Sequence, residues 1–363
     1  MSVRLLAEGR VSRVLAVAWV LSAWGWGLGC SPAAAPVAAS APQTPVQARA
    51  PLPPPPLVPL TGEEELLRQE VQGGVGELAE LGPRSLAHSW NLHSATDYLA
   101  RKLETYGYEV MRQGFPVADE VLQNLEVVVP GTKTGEQVLI AAHYDTDAES
   151  PGANASASGA AVLLSLAKEL RGKQPARSVR LVWLANESGG QGVTGSAVYA
   201  KHAQKLGAPV VATLTLGSLG NYSLAFGSQR YPAELLYGDE KRSRFGNFIA
   251  VVSNAGSHPL LERVRPTLAA ASLPVEELIL PDGAPLAAEG PQARFWGAGL
   301  LGLVLTDTGV FRSPYPAGPL DTPDKVDFDR LARVRRLVGS LVFQLAGPME
   351  AGSAPPSASP AAG

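Results

Sequence analysis

Apolar positions along this chain gather in short dense blocks separated by turn-forming residues. Asn124 to Val129, Gln137 to Ala142, Ser178 to Ala185, Val210 to Leu216 and Leu301 to Thr306 are β-branched or nearly continuous apolar runs. Such runs predict strands covered on both faces, as in parallel sheets. Ser158 to Leu170, Thr194 to Lys205, Leu260 to Ala271 and Asp327 to Ala346 carry helical spacing between or after them. Thr61 with Glu64 predicts a capping box opening the first helix, and Ser94 with Asp97 resembles another, followed by Tyr98, Leu99, Leu103 and Tyr106 on one face and Gly107 as the stop. The alternation predicts an α/β domain with a central, mostly parallel mixed sheet sandwiched by helices in three layers. In such sheets ligands bind beyond the carboxyl ends of the strands.

The ends of the chain read differently. Arg4, Arg10 and Arg13 precede the apolar run Val14 to Trp24, too short to span a bilayer and typical of a secretory signal. Gly27-Leu28-Gly29-Cys30-Ser31 follows and resembles a bacterial lipobox, although the usual leucine lies one place late as Leu28. The resemblance implies a lipidated Cys30 and an exported lipoprotein facing the periplasm or cell surface, with Ser31 favouring the outer membrane. Stable anchoring needs more than one acyl chain, which lipobox modification supplies. Residues 30–60 carry ten prolines and read as a tether, and 347–363 as a disordered tail. The expected organisation is a signal peptide over 1–29, the lipidated cysteine and tether over 30–60, one folded domain over 61–346, and the tail.

Composition narrows the function. The chain has 363 residues, 45% hydrophobic and 17% charged, enough for a large core. Its net charge is −3 and it has no long basic run, so no nucleic-acid partner is expected. One cysteine excludes internal disulfides and thiolate clusters, and five histidines limit any imidazole-built metal site.

Several separated segments carry a specific resemblance. After the predicted strand ending at Ala142 comes His143-Tyr144-Asp145-Thr146, then Ser150-Pro151-Gly152-Ala153-Asn154-Ala155-Ser156-Ala157-Ser158-Gly159. Ala185-Asn186-Glu187-Ser188 follows the next strand and leads to Gly195-Ser196. Gly246-Asn247-Phe248-Ile249, Trp296, Thr306-Asp307-Thr308, Phe311-Arg312 and Asp321-Thr322-Pro323-Asp324 come later. Together, from about Glu64 to Ala346, these resemble the co-catalytic-zinc aminopeptidases of metallopeptidase clan MH. That family holds two zinc ions between imidazoles and carboxylates, and a free carboxylate deprotonates the bridging water.

Carried over residue by residue, the resemblance makes His143 a metal ligand, Asp145 the residue that orients it, and Glu187 the general base. The remaining ligand positions have changed. Ala155 stands for the bridging aspartate, Ser188 for a glutamate, Gly217 for an acid after its strand, and Ala317 for the closing histidine, while Gly290-Pro291-Gln292 replaces a Ser-Asp-His run. A catalytic zinc normally takes three protein ligands, so one imidazole cannot hold it. The expectation is a zinc-free, catalytically inactive aminopeptidase fold that binds an unknown peptide or protein ligand. The alternative is an active zinc exopeptidase that cleaves N-terminal peptide bonds with other ligands, for which Asp147 and Glu149 are candidates.

His88 and His93, flanking a helix start, read as surface or capping residues. Gly190 to Gly195 fits GxGxxG, but no acid occurs between Glu187 and Glu234 to hold a ribose. Ser156 and Ser158 lack the GxSxG elbow of a serine hydrolase.

Overall fold

The first helix starts where its capping box predicts. In the computed structural model Thr61 Oγ1 accepts from Glu64 N (3.2 Å) and Glu64 Oε2 accepts from Thr61 N (3.0 Å), opening α1 over Gly62–Glu80. The structure describes residues 52–133, 135–189, 192–232, 235, 242–281, 283–284, 290–315 and 318–351. The signal segment, Cys30, most of the tether, Ala317 and the tail beyond residue 351 lie outside the described residues. From Ala50 onward the chain forms one compact unit.

The second helix, α2, spans Ser89–Thr105, so Ser94 and Asp97 lie inside it and do not open it. The buried stripe Leu92, Ala95, Leu99 and Leu103 already begins before Ser94, and a 3-10 turn over Leu86–His88 leads into the helix. A hairpin follows, β1 (Met111–Val117) and β2 (Glu120–Val129), turning at Ala118 with φ 51°. β1 carries Gly114 and Pro116, which hide it from pattern reading, and Pro suits an edge strand.

The remaining elements are β3 (Gln137–His143), α3 (Ser158–Leu170), β4 (Lys173–Pro175), β5 (Ser178–Leu184), α4 (Gly195–Ala203), β6 (Val210–Leu216), β7 (Ile249–Asn254), α5 (His258–Ala269), β8 (Val275–Leu280), α6 (Gly290–Gly297), β9 (Gly302–Thr306), α7 (Phe328–Ala346) and β10 (Met349–Ala351). The eight-stranded sheet has the order β1-β2-β5-β3-β6-β9-β7-β8. β5, β3, β6 and β9 run parallel to one another, β7 pairs antiparallel to β9 and parallel to β8, and β1 and β2 complete an antiparallel flank. The main core joins one face of the sheet to α1, α2, α3, α5 and α7, while α4 and α6 pack on the other face.

Two boundaries differ from expectation. Residues 347–363 were expected to carry no structure, yet Met349–Ala351 pair with Lys173–Pro175 as a small ladder. At the other end the tether does not stop at the domain surface: Leu57 packs against the main core and Arg333 donates to the carbonyl of Val58. The parallel strands place His143, Leu184, Leu216 and Thr306 at one end of the sheet. The loops after those residues build the candidate site.

Candidate functional site

The loop after β3 is held by charges and amides that lie below the surface. Asp321, 3% exposed, accepts from Asn154 N (2.8 Å) and Ala155 N (2.9 Å) through its two carboxylate oxygens. Asn154 donates to Asp307 Oδ2 (2.8 Å) and accepts from Gly220 N (2.6 Å), tying this loop to those after β6 and β9. Ala153–Ala157 form a single π turn closed by Ala157 N to Gly152 O (2.9 Å), a local form frequent at functional sites. Behind it Arg84 is fully buried, donating to the carbonyls of Leu78, Tyr144 and Pro151 and to Ser156 Oγ. Burial lowers the Arg84 pKa to about 10, opposed by the charges of Asp145 and Asp321. This arginine follows Gly82-Pro83 and has no periodic or motif signal in the sequence.

His143 sits at the end of β3 between two oxygen acceptors. Its Nδ1 lies 3.4 Å from Asp145 Oδ1, and its Nε2 lies 3.1 Å from the carbonyl oxygen of Ala155. Burial opposes a charge on the ring, but the Asp145 carboxylate, Glu187 and the Ala155 carbonyl outweigh it and raise its pKa. Asp145 is itself buried and accepts from Ser188 N (2.7 Å) through the oxygen that does not face His143. Ser188 therefore contacts the site through its backbone.

Glu187 faces the start of α4. Its two oxygens accept from Ser196 N (2.5 Å) and Ser196 Oγ (2.8 Å), and burial pushes its carboxyl up to about 7 against those bonds. A carboxylate at a helix N-terminus is favoured by the free N–H groups there. The same contact disposes of the GxGxxG reading, since the chain's own carboxylate fills the helix terminus that a phosphate would need. Gly195 permits this geometry: a Cβ there would meet Asn124 Oδ1 at 2.2 Å and Ala185 O at 2.5 Å.

The sequence-derived ligand positions are partly brought together. His143, Ala155 and Gly217 line one cavity of about 390 Å³, with Ser218 beside them. Ser188 does not line it, and Ala317 lies outside the described residues. Gly217 has space, with the nearest atom to a Cβ at 3.6 Å. Asp147 and Glu149 do not line the cavity, His88 contacts Ser85 Oγ (3.3 Å) and His93 contacts Glu120 (3.1 Å). Gln292 forms a buried cluster with Thr213 and Thr215 of β6 on the cavity wall.

Among the described residues no group of three or more His, Cys, Asp or Glu side chains is placed to hold a metal ion. The Nε2 of His143 lies against a backbone carbonyl, and Glu187 and Asp145 accept from backbone N–H groups. These residues do not fit a two-zinc centre.

Residues 124–271 match the sequence profile described as peptidase family M28. An Escherichia coli (strain K12) protein named uncharacterized protein YfbL is 30% identical over 276 residues, covering 72% of this chain and 83% of its own length. The fold is similar to that of LapB from Legionella pneumophila (TM-score 0.63, 19% identity, 82% of this chain and 78% of that one). It is also similar to BSAP, a zinc aminopeptidase from Bacillus subtilis (TM-score 0.59, 15% identity, 77% and 95%), and to the Bacteroides thetaiotaomicron glutaminyl cyclase bound to N-acetylhistamine (TM-score 0.57, 18% identity, 76% and 97%). Profile, relative and strand-end loops agree, and the chain belongs to peptidase family M28.

Proposed function

We propose that this protein is a catalytically inactive member of its family that acts by binding a ligand in the strand-end cavity, and that it is held at a bacterial membrane by lipid on Cys30. The observation that carries the reading is the closure of His143 Nε2 onto the Ala155 carbonyl (3.1 Å), with Glu187 turned onto Ser196. A hydrolytic site of this kind needs a bound water aligned by metal and base. Here both oxygens of Glu187 accept from Ser196 and the residue does not line the cavity, and the ligand positions carry Ala155, Ser188, Gly217 and Ala317. Supporting a metal-free fold, Arg84, Asp321, Asn154 and Asp307 brace the loops among themselves. Replacing acids by small neutral residues also removes the repulsion that crowded carboxylates impose on an empty site.

The test is turnover of an aminoacyl-anilide by the purified protein with zinc added. No cleavage above a protein-free control is expected. Metal-dependent release of the anilide at rates saturating with substrate would overturn the proposal and establish the exopeptidase alternative.

A further inference from the structure

The cavity runs from the His143 end of the sheet down over the face that carries α4 and α6. Its floor is apolar, built by Val304 of β9, Val252 of β7, and Leu278 and Leu280 of β8, with Trp296 of α6 and Tyr231 closing the sides. A volume of about 390 Å³ lies within the usual range for small-molecule sites, roughly 300–1,000 Å³.

Several polar groups in this wall are already committed. The Thr215 hydroxyl donates to Gln292, Tyr231 donates to Glu276 (2.7 Å), Trp296 Nε1 donates to the carbonyl of Gly302 (3.1 Å), and Thr308 pairs with Gln229. A ligand with internal amides would leave them unpaired in an apolar wall, which is unfavourable. An unbroken aliphatic chain has no such penalty.

Charge decides the other end of the ligand. Among the described lining residues there is no Asp or Glu; the lining cation at the rim is Arg230, exposed, with Nη2 donating to the Val310 carbonyl (3.1 Å). Among the described lining residues a ligand amine finds no carboxylate, whereas a carboxylate finds a guanidinium suited to hold it.

Resting on the binding reading above, we infer that the cavity takes an aliphatic carboxylate, its chain lying along Val252, Leu278 and Val304 and its head group on Arg230. The test uses the chain from Ala50 onward, which forms one compact unit, in calorimetric titrations with dodecanoate, dodecylamine and N-acetyl-trileucine. Dodecanoate is expected to bind at least tenfold more tightly than either other probe. Arg230→Met is expected to lose about tenfold in dodecanoate affinity, the effect of one charge-assisted contact, and Arg230→Lys to retain most of it. Arg230 is exposed, so these variants keep the fold.

Equal or tighter binding of the amine or the peptide would overturn the inference, as would an unchanged affinity in Arg230→Met or no binding of dodecanoate. Anilide turnover by the same preparation would instead overturn the inactive-site reading, so the two failures are distinguishable.

Discussion

The carbonyl oxygen of Ala155 lies 3.1 Å from Nε2 of His143, so Ala155 engages the ring nitrogen with its own backbone. Asp321 fixes it by accepting the N–H of Ala155 (2.9 Å).

Restoring the acids should therefore compete directly with that bond. The combined variant Ala155→Asp, Ser188→Glu, Gly217→Asp and Ala317→His is expected to gain at least a hundredfold in zinc affinity by competition titration. Ligands supplied from rigid strand ends need little reorganisation, and Gly217 has room for a side chain. No gain would mean that the loop carrying Ser188 no longer approaches the cavity.

Glu187 makes stability depend on pH in a stated direction. Its carboxyl lies near 7 when folded, against a usual value of 4.5, so the folded state holds the proton more tightly than the unfolded chain. Stability should fall as pH rises between about 4.5 and 7 and level off above. Glu187→Gln removes that slope, because the amide does not titrate in this range. Urea unfolding at pH 5 and pH 8 checks this; identical pH dependence in parent and variant would contradict it.

Arg84→Ala should unfold at markedly lower urea. The change leaves the carbonyls of Leu78, Tyr144 and Pro151 and the buried charges of Asp145 and Asp321 without their cation. Removing one partner from such a buried charge network costs about 3–5 kcal/mol. A loss below about 1 kcal/mol would show that the loop is braced by Asp321 alone.

Cys30 is tested separately. The full-length chain is expected to take up a palmitate analogue and partition with membranes, and Cys30→Ser to lose the label. Labelling unchanged in Cys30→Ser would leave the domain without its proposed anchor.

Much of this architecture was legible in the residues. Five buried strand runs, the Thr61–Glu64 box and α7 declared themselves because their patterns are local. β8 did not, since Glu276 and Glu277 interrupt its apolar run at the sheet edge. β1 was hidden by Gly114 and Pro116. In the site, His143, Asp145 and Glu187 were named from sequence together with the lost ligand positions, but their new partners were not. The Ala155 carbonyl and the N–H of Ser196 are backbone groups that exist at every residue, so only the fold reveals which one meets a side chain. Arg84 was equally silent, its neighbours in space lying 60 residues or more along the chain for Tyr144 and Pro151.

Zinc content bears on the central claim most directly. Protein purified in the presence of zinc, freed of unbound metal and measured by elemental analysis should hold substoichiometric zinc, since one imidazole already bonded to a carbonyl gives the ion no site. One or two equivalents retained per chain, and lost in His143→Ala, would contradict the account.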